Sequence, residues 1–188
     1  QNLQATVGSI PLLTVSERQA VLTVNRAGSS ATPSLPLSRL IEQQVERTPE
    51  GPAVVLDGTT VSYAMLNAKA NRLARWLRRR GVGPEARVGI RLARSVELVV
   101  TLLAILKAGG TYVPINPDYP VARQRQIALD AGLTLLLIDG DSIPGSEAFP
   151  MPVQVMDHAE AESRSLDDSN VPGSYSPEQA AYIIFTSG

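Results

Sequence analysis

The sequence contains no cysteine. This excludes disulfides, thiolate zinc sites, iron–sulfur clusters and a cysteine nucleophile, and it suits a reducing cytosol. Histidine occurs once, as His158, beside Asp157, Glu160 and Glu162. A solitary histidine in such company is expected on a solvated helix surface rather than as ligand or base. Asp167-Asp168 likewise has no partner at metal-site spacing. No sign of charge dominates: 17 basic residues face 18 acidic ones, for a net charge of −1. The strong positive field of a nucleic-acid binder is therefore missing. Lysine is nearly absent, with Lys69 and Lys107 alone among the arginines. Long apolar runs are lacking too. The longest, 96–106, is shorter than the ~20 residues that span a bilayer. Residues 1–8 are polar, without the basic-then-apolar progression of a signal peptide. These absences predict a soluble, cytoplasmic chain that engages neither membrane nor nucleic acid.

What remains is ordinary globular material. At 188 residues and 44% hydrophobic content, a compact chain hides roughly 70% of its unfolded surface and needs no covalent staple. Thr14 and Glu17 have capping-box spacing, which predicts a short helix over 15–24. Residues 27–36 are rich in Gly, Ser and Pro and read as a linker. Leu37, Leu40, Ile41 and Val45 fall on one helical stripe, predicting an amphipathic helix over 38–47. Two strand-like runs, 53–56 and 59–62, flank Asp57-Gly58, a pair suited to a tight hairpin. A long helix over 63–80 follows, with Leu66, Ala70, Leu73, Ala74 and Leu77 on one face and Lys69, Arg72, Arg75 and Arg79 on the other. Gly81 is placed to end it, and Arg78-Arg79-Arg80 is expected as a solvated face.

Beyond that helix, strands and helices alternate: strand 87–92, helix 95–108, strand 111–115, helix 120–131, strand 133–139. The last is apolar on both faces, as in a parallel sheet covered by helices. Residues 140–152 read as a loop, 153–156 and 181–185 as two further strands, with a polar, partly helical excursion between them. The fold class is α/β: an open, mostly parallel sheet sandwiched by helices, preceded by an extended or helical linker. The domains are assigned as 1–36, the linker, and 37–188, the α/β portion.

Chemistry is expected at the last strand. Ala181-Tyr182-Ile183-Ile184-Phe185 runs directly into Thr186-Ser187-Gly188. A glycine that admits close backbone approach, exposed N–H groups and hydroxyl donors are the parts of a phosphate loop. Taken alone, the same tripeptide also suits an ordinary turn. Lys107 lies in the last turn of its helix, where a cation offsets the dipole and Gly109 can cap. That structural role is preferred to a catalytic one.

Leu106-Lys107-Ala108-Gly109-Gly110-Thr111-Tyr112-Val113-Pro114-Ile115-Asn116-Pro117 closely resembles the second core motif of the adenylation domains of non-ribosomal peptide synthetases. Val61-Ser62-Tyr63-Ala64-Met65-Leu66-Asn67 resembles their first, and residues 181–188 the opening of their third. Residues 10–18 are similar to the linker that follows a condensation domain. Asn116 stands where the family often has aspartate. The resemblance covers nearly the whole chain. It implies the N-terminal subdomain of the adenylate-forming fold, truncated in the phosphate loop, with Thr186, Ser187 and Gly188 as cofactor-binding positions. No catalytic or metal-ligating residue carries over.

The implied reaction has two steps. An amino-acid carboxylate attacks the α-phosphate of ATP and releases pyrophosphate. The phosphopantetheine thiol of a carrier protein then attacks the aminoacyl adenylate. ATP and Mg²⁺ are the implied cofactors. The implied partners are a carrier domain, a condensation domain reached through 1–36, and an MbtH-like protein. These 188 residues alone are expected to be inactive. The alternatives are a fragment of an acyl-CoA or aryl-acid ligase, and a non-catalytic scaffold.

Overall fold

A computed structural model describes residues 13–26, 35–140, 149–173 and 178–185. The chain divides into two compact units, 1–34 and 35–188. In the first, α1 (Val15–Arg26) opens on the expected capping box. Thr14 N–H donates to Glu17 Oε2 at 2.7 Å, and Glu17 N–H donates back to Thr14 Oγ1 at 3.3 Å. The carboxyl of Glu17 is held below the usual range by these bonds with Thr14. Most of the predicted 27–36 linker lies outside the described residues.

The second unit begins with α2 (Leu37–Arg47). Its buried face is only partly the predicted one: Ile41 packs against the core and Val45 is half-buried, but polar residues take the deepest positions. Ser38 and Glu42 point inward, while Leu37 and Leu40 are about half exposed, at 52% and 49%. The reason is electrostatic: Glu42 Oε1 accepts from Nζ of the fully buried Lys107 at 2.5 Å. An ammonium buried among apolar side chains requires a carboxylate beside it, and that requirement fixes the rotation of the helix. Burial lowers the pKa of Lys107, against the pull of Glu42.

Strands β1 (Pro52–Leu56) and β2 (Thr59–Ser62) form the predicted antiparallel hairpin. Asp57 and Gly58 both take positive φ, 47° and 79°, as a two-residue hairpin turn requires. Helix α3 (Tyr63–Arg79) is capped by Ser62 and buries the expected stripe, including Leu66, Ala70, Leu73, Ala74 and Leu77. Its arginine face is more engaged than a solvated reading implies, because the last helix and the chain after it return across it. Arg72 pairs with Asp168. Arg75 meets Asp167 at 2.8 Å, and Arg80 meets Glu162 at 2.7 Å while lying 3.6 Å over the Trp76 ring. Arg78 is half-buried, so of the triple-arginine run only Arg79 matches a purely solvated reading.

The main sheet is parallel, in the order β4-β3-β5-β6. Its strands are β3 (Arg87–Arg91), β4 (Thr111–Pro114), β5 (Leu135–Ile138) and β6 (Val153–Val155). Helices α4 (Val96–Ala108), α5 (Val121–Asp130) and α6 (Met156–Ser163) complete the unit. Alternation divides the core in two. Val88, Ile90, Leu135 and Leu137 face α3, α4 and α6, whereas Leu136 and Ile138 face α5. The sheet is thus covered on both faces, and all four residues of β5 are buried. Among the described residues, no helix is long and apolar enough to cross a membrane. The predicted strand over 181–185 is reduced to a single parallel bridge, Tyr112 to Tyr182, on the outer edge of β4.

Candidate phosphate-binding edge

In open parallel sheets, ligands gather beyond the carboxyl ends of the strands, where crossovers diverge to opposite faces. Here α4 leads from β3 to β4 on one face, and α5 leads from β4 to β5 on the other. The crevice between β3 and β5 is occupied by the protein's own polar groups. Asp139 accepts from Ala93 N–H at 2.7 Å and stands 3.7 Å from Arg91 Nη1. Arg91 Nε donates to Gln124 Oε1 at 3.0 Å. Gln124, 1% exposed, gives its amide hydrogens to Pro117 O and Tyr119 O at 3.1 and 2.6 Å. This network ties the strand ends together and uses both oxygens of Asp139.

The β4 side is arranged otherwise. Helix α4 ends on Gly109 at φ 96°, a left-handed cap. At Gly110 a Cβ would stand 2.9 Å from Val82 Cγ1 and 3.1 Å from Ala86 O, so a side chain would push β4 away from the neck of β3. Thr111 N–H then donates to Ala86 O at 2.8 Å. Along the free edge of β4 runs the apolar C-terminal segment. Thr111 Oγ1 donates to Ala180 O at 2.8 Å, Tyr112 N–H to Ala181 O at 3.1 Å, and Ile183 N–H to Tyr112 O at 3.0 Å. Gln179 Nε2 donates to Gly109 O.

Side chains alternate as in a strand. Ile183 and Phe185 pack into the α5-side cluster, and Tyr182 stacks on Tyr112 with centroids 5.6 Å apart. Burial, and then the neighbouring Tyr182, raise the pKa of Tyr112. Tyr182 and Ile184 stay exposed, at 54% and 61%. The segment runs parallel to β4, so it travels toward the carboxyl ends of the strands, and Phe185 is followed at once by Thr186. Thr186, Ser187 and Gly188 themselves lie outside the described residues.

Other sequence-predicted residues fall where their local chemistry places them. Asn116 Oδ1 accepts from Asp118 N–H at 2.9 Å, a turn role that requires an oxygen and no charge. His158 is exposed on α6. Lys107 is a buried ion-pair partner of α2. Gln124, Thr111 and Gln179 carry contacts that pattern reasoning did not find, since each depends on a partner distant in the chain or on a turn carbonyl. Among the described residues no three Asp, Glu or His side chains stand together as a metal cluster. A cavity of about 220 Å³ lies among α3, α4 and α6, with Leu73, Val100 and Met156 in its lining. Lys69, in the same lining, stands 3.8 Å from Glu97 and 3.9 Å from Glu160.

Residues 41–188 match a family described as AMP-binding enzyme. Over 98% of its length the chain is 40% identical to bacitracin synthase 2 of Bacillus licheniformis. It is 38% identical, over 100% of its length, to tyrocidine synthase 3 of Brevibacillus parabrevis. It spans 7% of the length of the first of these relatives and 3% of the second. Among solved structures, it resembles the nonribosomal peptide synthetase FmoA3 in its AMPPNP-bound form, with a TM-score of 0.75 and 27% identity. That likeness covers 90% of this chain and 18% of the other.

Proposed function

The chain belongs to the AMP-binding enzyme family, and from that premise we propose that it forms the front of an amino-acid-activating adenylation domain of a non-ribosomal peptide synthetase. The observation that carries the proposal is the edge segment. The Tyr112–Tyr182 bridge and the Ile183 hydrogen bond align 181–185 parallel to β4. That direction, with Thr186-Ser187-Gly188 following Phe185 at once in the sequence, supports assigning the three residues to the strand-end side of the sheet. There, backbone N–H groups and two hydroxyls are suited to the β- and γ-phosphates of ATP. The crevice between β3 and β5 is crossed by the bonded network of Arg91, Asp139 and Gln124, which favours the β4 edge as the nucleotide end.

In this reading a carboxylate oxygen of the amino acid bonds to the α-phosphorus of ATP, and the bond to the departing pyrophosphate breaks. The thiol sulfur of a carrier-borne phosphopantetheine then attacks the aminoacyl carbonyl, and AMP leaves. Negative charge grows on phosphate oxygens in the first step, and preorganised N–H and hydroxyl donors stabilise it. The magnesium ion that accompanies ATP is assigned to no residue of this chain. The partners are a carrier domain, a condensation domain reached through 1–36, and an MbtH-like helper. The compartment is the cytoplasm. The domain boundary is drawn between 36 and 37, and the 188 residues alone are expected to give no turnover.

The test is ATP–pyrophosphate exchange with a panel of amino acids, aryl acids and fatty acids, on the chain extended through a complete family domain. Exchange driven by one or a few amino acids is the expected result. Exchange driven only by aryl or fatty acids, or clear exchange by the 188 residues alone, would overturn this reading. Thr186→Val with Ser187→Ala should raise the KM for ATP about tenfold or more, the scale of a lost hydrogen bond to a charged group. The KM for the amino acid should not move.

A further inference from the structure

The direct bonds from 179–183 to the neighbouring chain all land on a short stretch, Gly109 to Tyr112. Where that stretch lies depends on how α4 ends; the Gly109 cap satisfies Ile105 O and Leu106 O, and one side chain holds the two carbonyls that follow. Arg78 Nε donates to Ala108 O at 3.3 Å, and Nη2 donates to Lys107 O at 3.2 Å. These are among the last carbonyls of α4, which lack partners within the helix and carry the negative end of its dipole. The remaining terminal nitrogen, Nη1, donates to Pro172 O at 2.7 Å. Pro172 lies on the stretch that returns from α6 along α3. One planar guanidinium therefore joins α3, which carries it, to the carboxyl end of α4 and to the returning chain. A lysine would supply the charge but not three donors in a fixed fork. The two neighbouring arginines do not share the task, since Arg79 is exposed and Arg80 is engaged with Trp76 and Glu162.

We propose that Arg78 is a positioning residue that sets the register of 179–185 on β4. A single bridge is the weakest attachment in the sheet, and the segment holds its place only if its seat is fixed. Arg78 fixes the seat from below, by satisfying the α4 carbonyls, and fixes the approach, by holding Pro172. The register follows from contacts within this chain. Its consequence for ATP rests on the phosphate-loop reading above.

Amide hydrogen exchange on the 188-residue protein tests the register. In Arg78→Ala, the Ile183 and Tyr112 amides should exchange about tenfold faster or more, as for a locally opened edge. The Leu136 amide, bonded to Pro152 O in the sheet interior, should exchange as in the parent and so report an intact fold. Arg79→Ala should leave Ile183 unchanged, and Arg78→Lys should not restore its protection. Unchanged Ile183 exchange in Arg78→Ala overturns the proposal. So does full recovery with lysine, which would reduce Arg78 to a charge at a helix end. So does a parallel loss at Leu136, which would mean general destabilisation. The KM for ATP is read separately in the complete family domain and should rise about tenfold with Arg78→Ala. Faster Ile183 exchange with an unchanged KM would support the register role and remove the phosphate-loop reading.

Discussion

Two charged regions meet the same layer of helices, and water treats them differently. Between α2 and α4, Glu42 and Lys107 form an ion pair that is 2% and 0% exposed, with the half-exposed Arg39 on the second carboxylate oxygen at 2.6 Å. Along the outer face of α3, Arg72 and Arg75 meet the chain after α6, and Arg80 meets α6 itself, in pairs whose carboxylates are 51%, 61% and 55% exposed. The first region holds its charges out of water, so each is costly without the other. In the second, solvent screens every pair, and adhesion comes from number and from bonds to backbone, such as Asn71 Nδ2 to Asp168 O at 2.7 Å. The difference teaches that number of contacts and energetic weight are separate quantities. One pair orients a whole helix, while several only clip a strap.

The sharpest way to break the contrast is Glu42→Leu. Removing the carboxylate from a buried ammonium should cost about 3–5 kcal/mol, read as a shift in the denaturant midpoint. Adding Lys107→Met should recover much of that loss, because an apolar pair of similar volume needs no compensation. Arg72→Ala, on the exposed seam, should cost only about 0.2–1 kcal/mol. In about 1 M salt, where the screening length falls to about 3 Å, that cost should shrink further, while the cost of Glu42→Leu should persist.

The smallest effect is a pH response confined to the seam. Hydrogen bonds from Trp76 and Arg80 hold the Glu162 carboxyl below its ordinary 4.5, and bonds from Ser169, then Arg75, hold Asp167 below its ordinary 3.8. A carboxyl with a depressed folded pKa contributes stability that is complete above its unfolded value and is lost as pH falls through the folded one. The seam should therefore loosen from α3 as pH falls below the ordinary carboxyl range and through these depressed values, before the sheet unfolds. Amide exchange of Ser169, whose N–H donates to Asp167 Oδ1 at 2.9 Å, should accelerate there ahead of Leu136.

Much of this architecture was legible in the residues. The stripe of α3, the Asp57-Gly58 turn and the Gly109 cap are decided within a few residues. So is the all-apolar run of β5, which has only one environment that suits it. The helix α2 was half legible. Its existence followed from periodicity, but its facing only in part: Ile41 does pack on the core, while Leu37 and Leu40 yielded the inside to Glu42. Of the arginine seam the residues give the facing of Arg72 and Arg75 but not their partners, and the solvated face expected for 78–80 leaves out the bonds of Arg78 and Arg80, since nothing local announces that α6 and the chain after it return across α3. At the candidate site the motif marked the segment that runs along the free edge of β4. The anchors that seat it, Arg78, Thr111 and Gln179, carry no local signature, because their partners are backbone carbonyls elsewhere in the chain.

By itself the sequence determined which segments coil or extend and where they stop, because side-chain period, caps and glycine conformations act over a few residues. Only the tertiary structure decided which polar groups go inside and what they hold. The cost of burying a charge depends on whether a partner arrives, and Glu42 reaches Lys107 across 65 positions of chain.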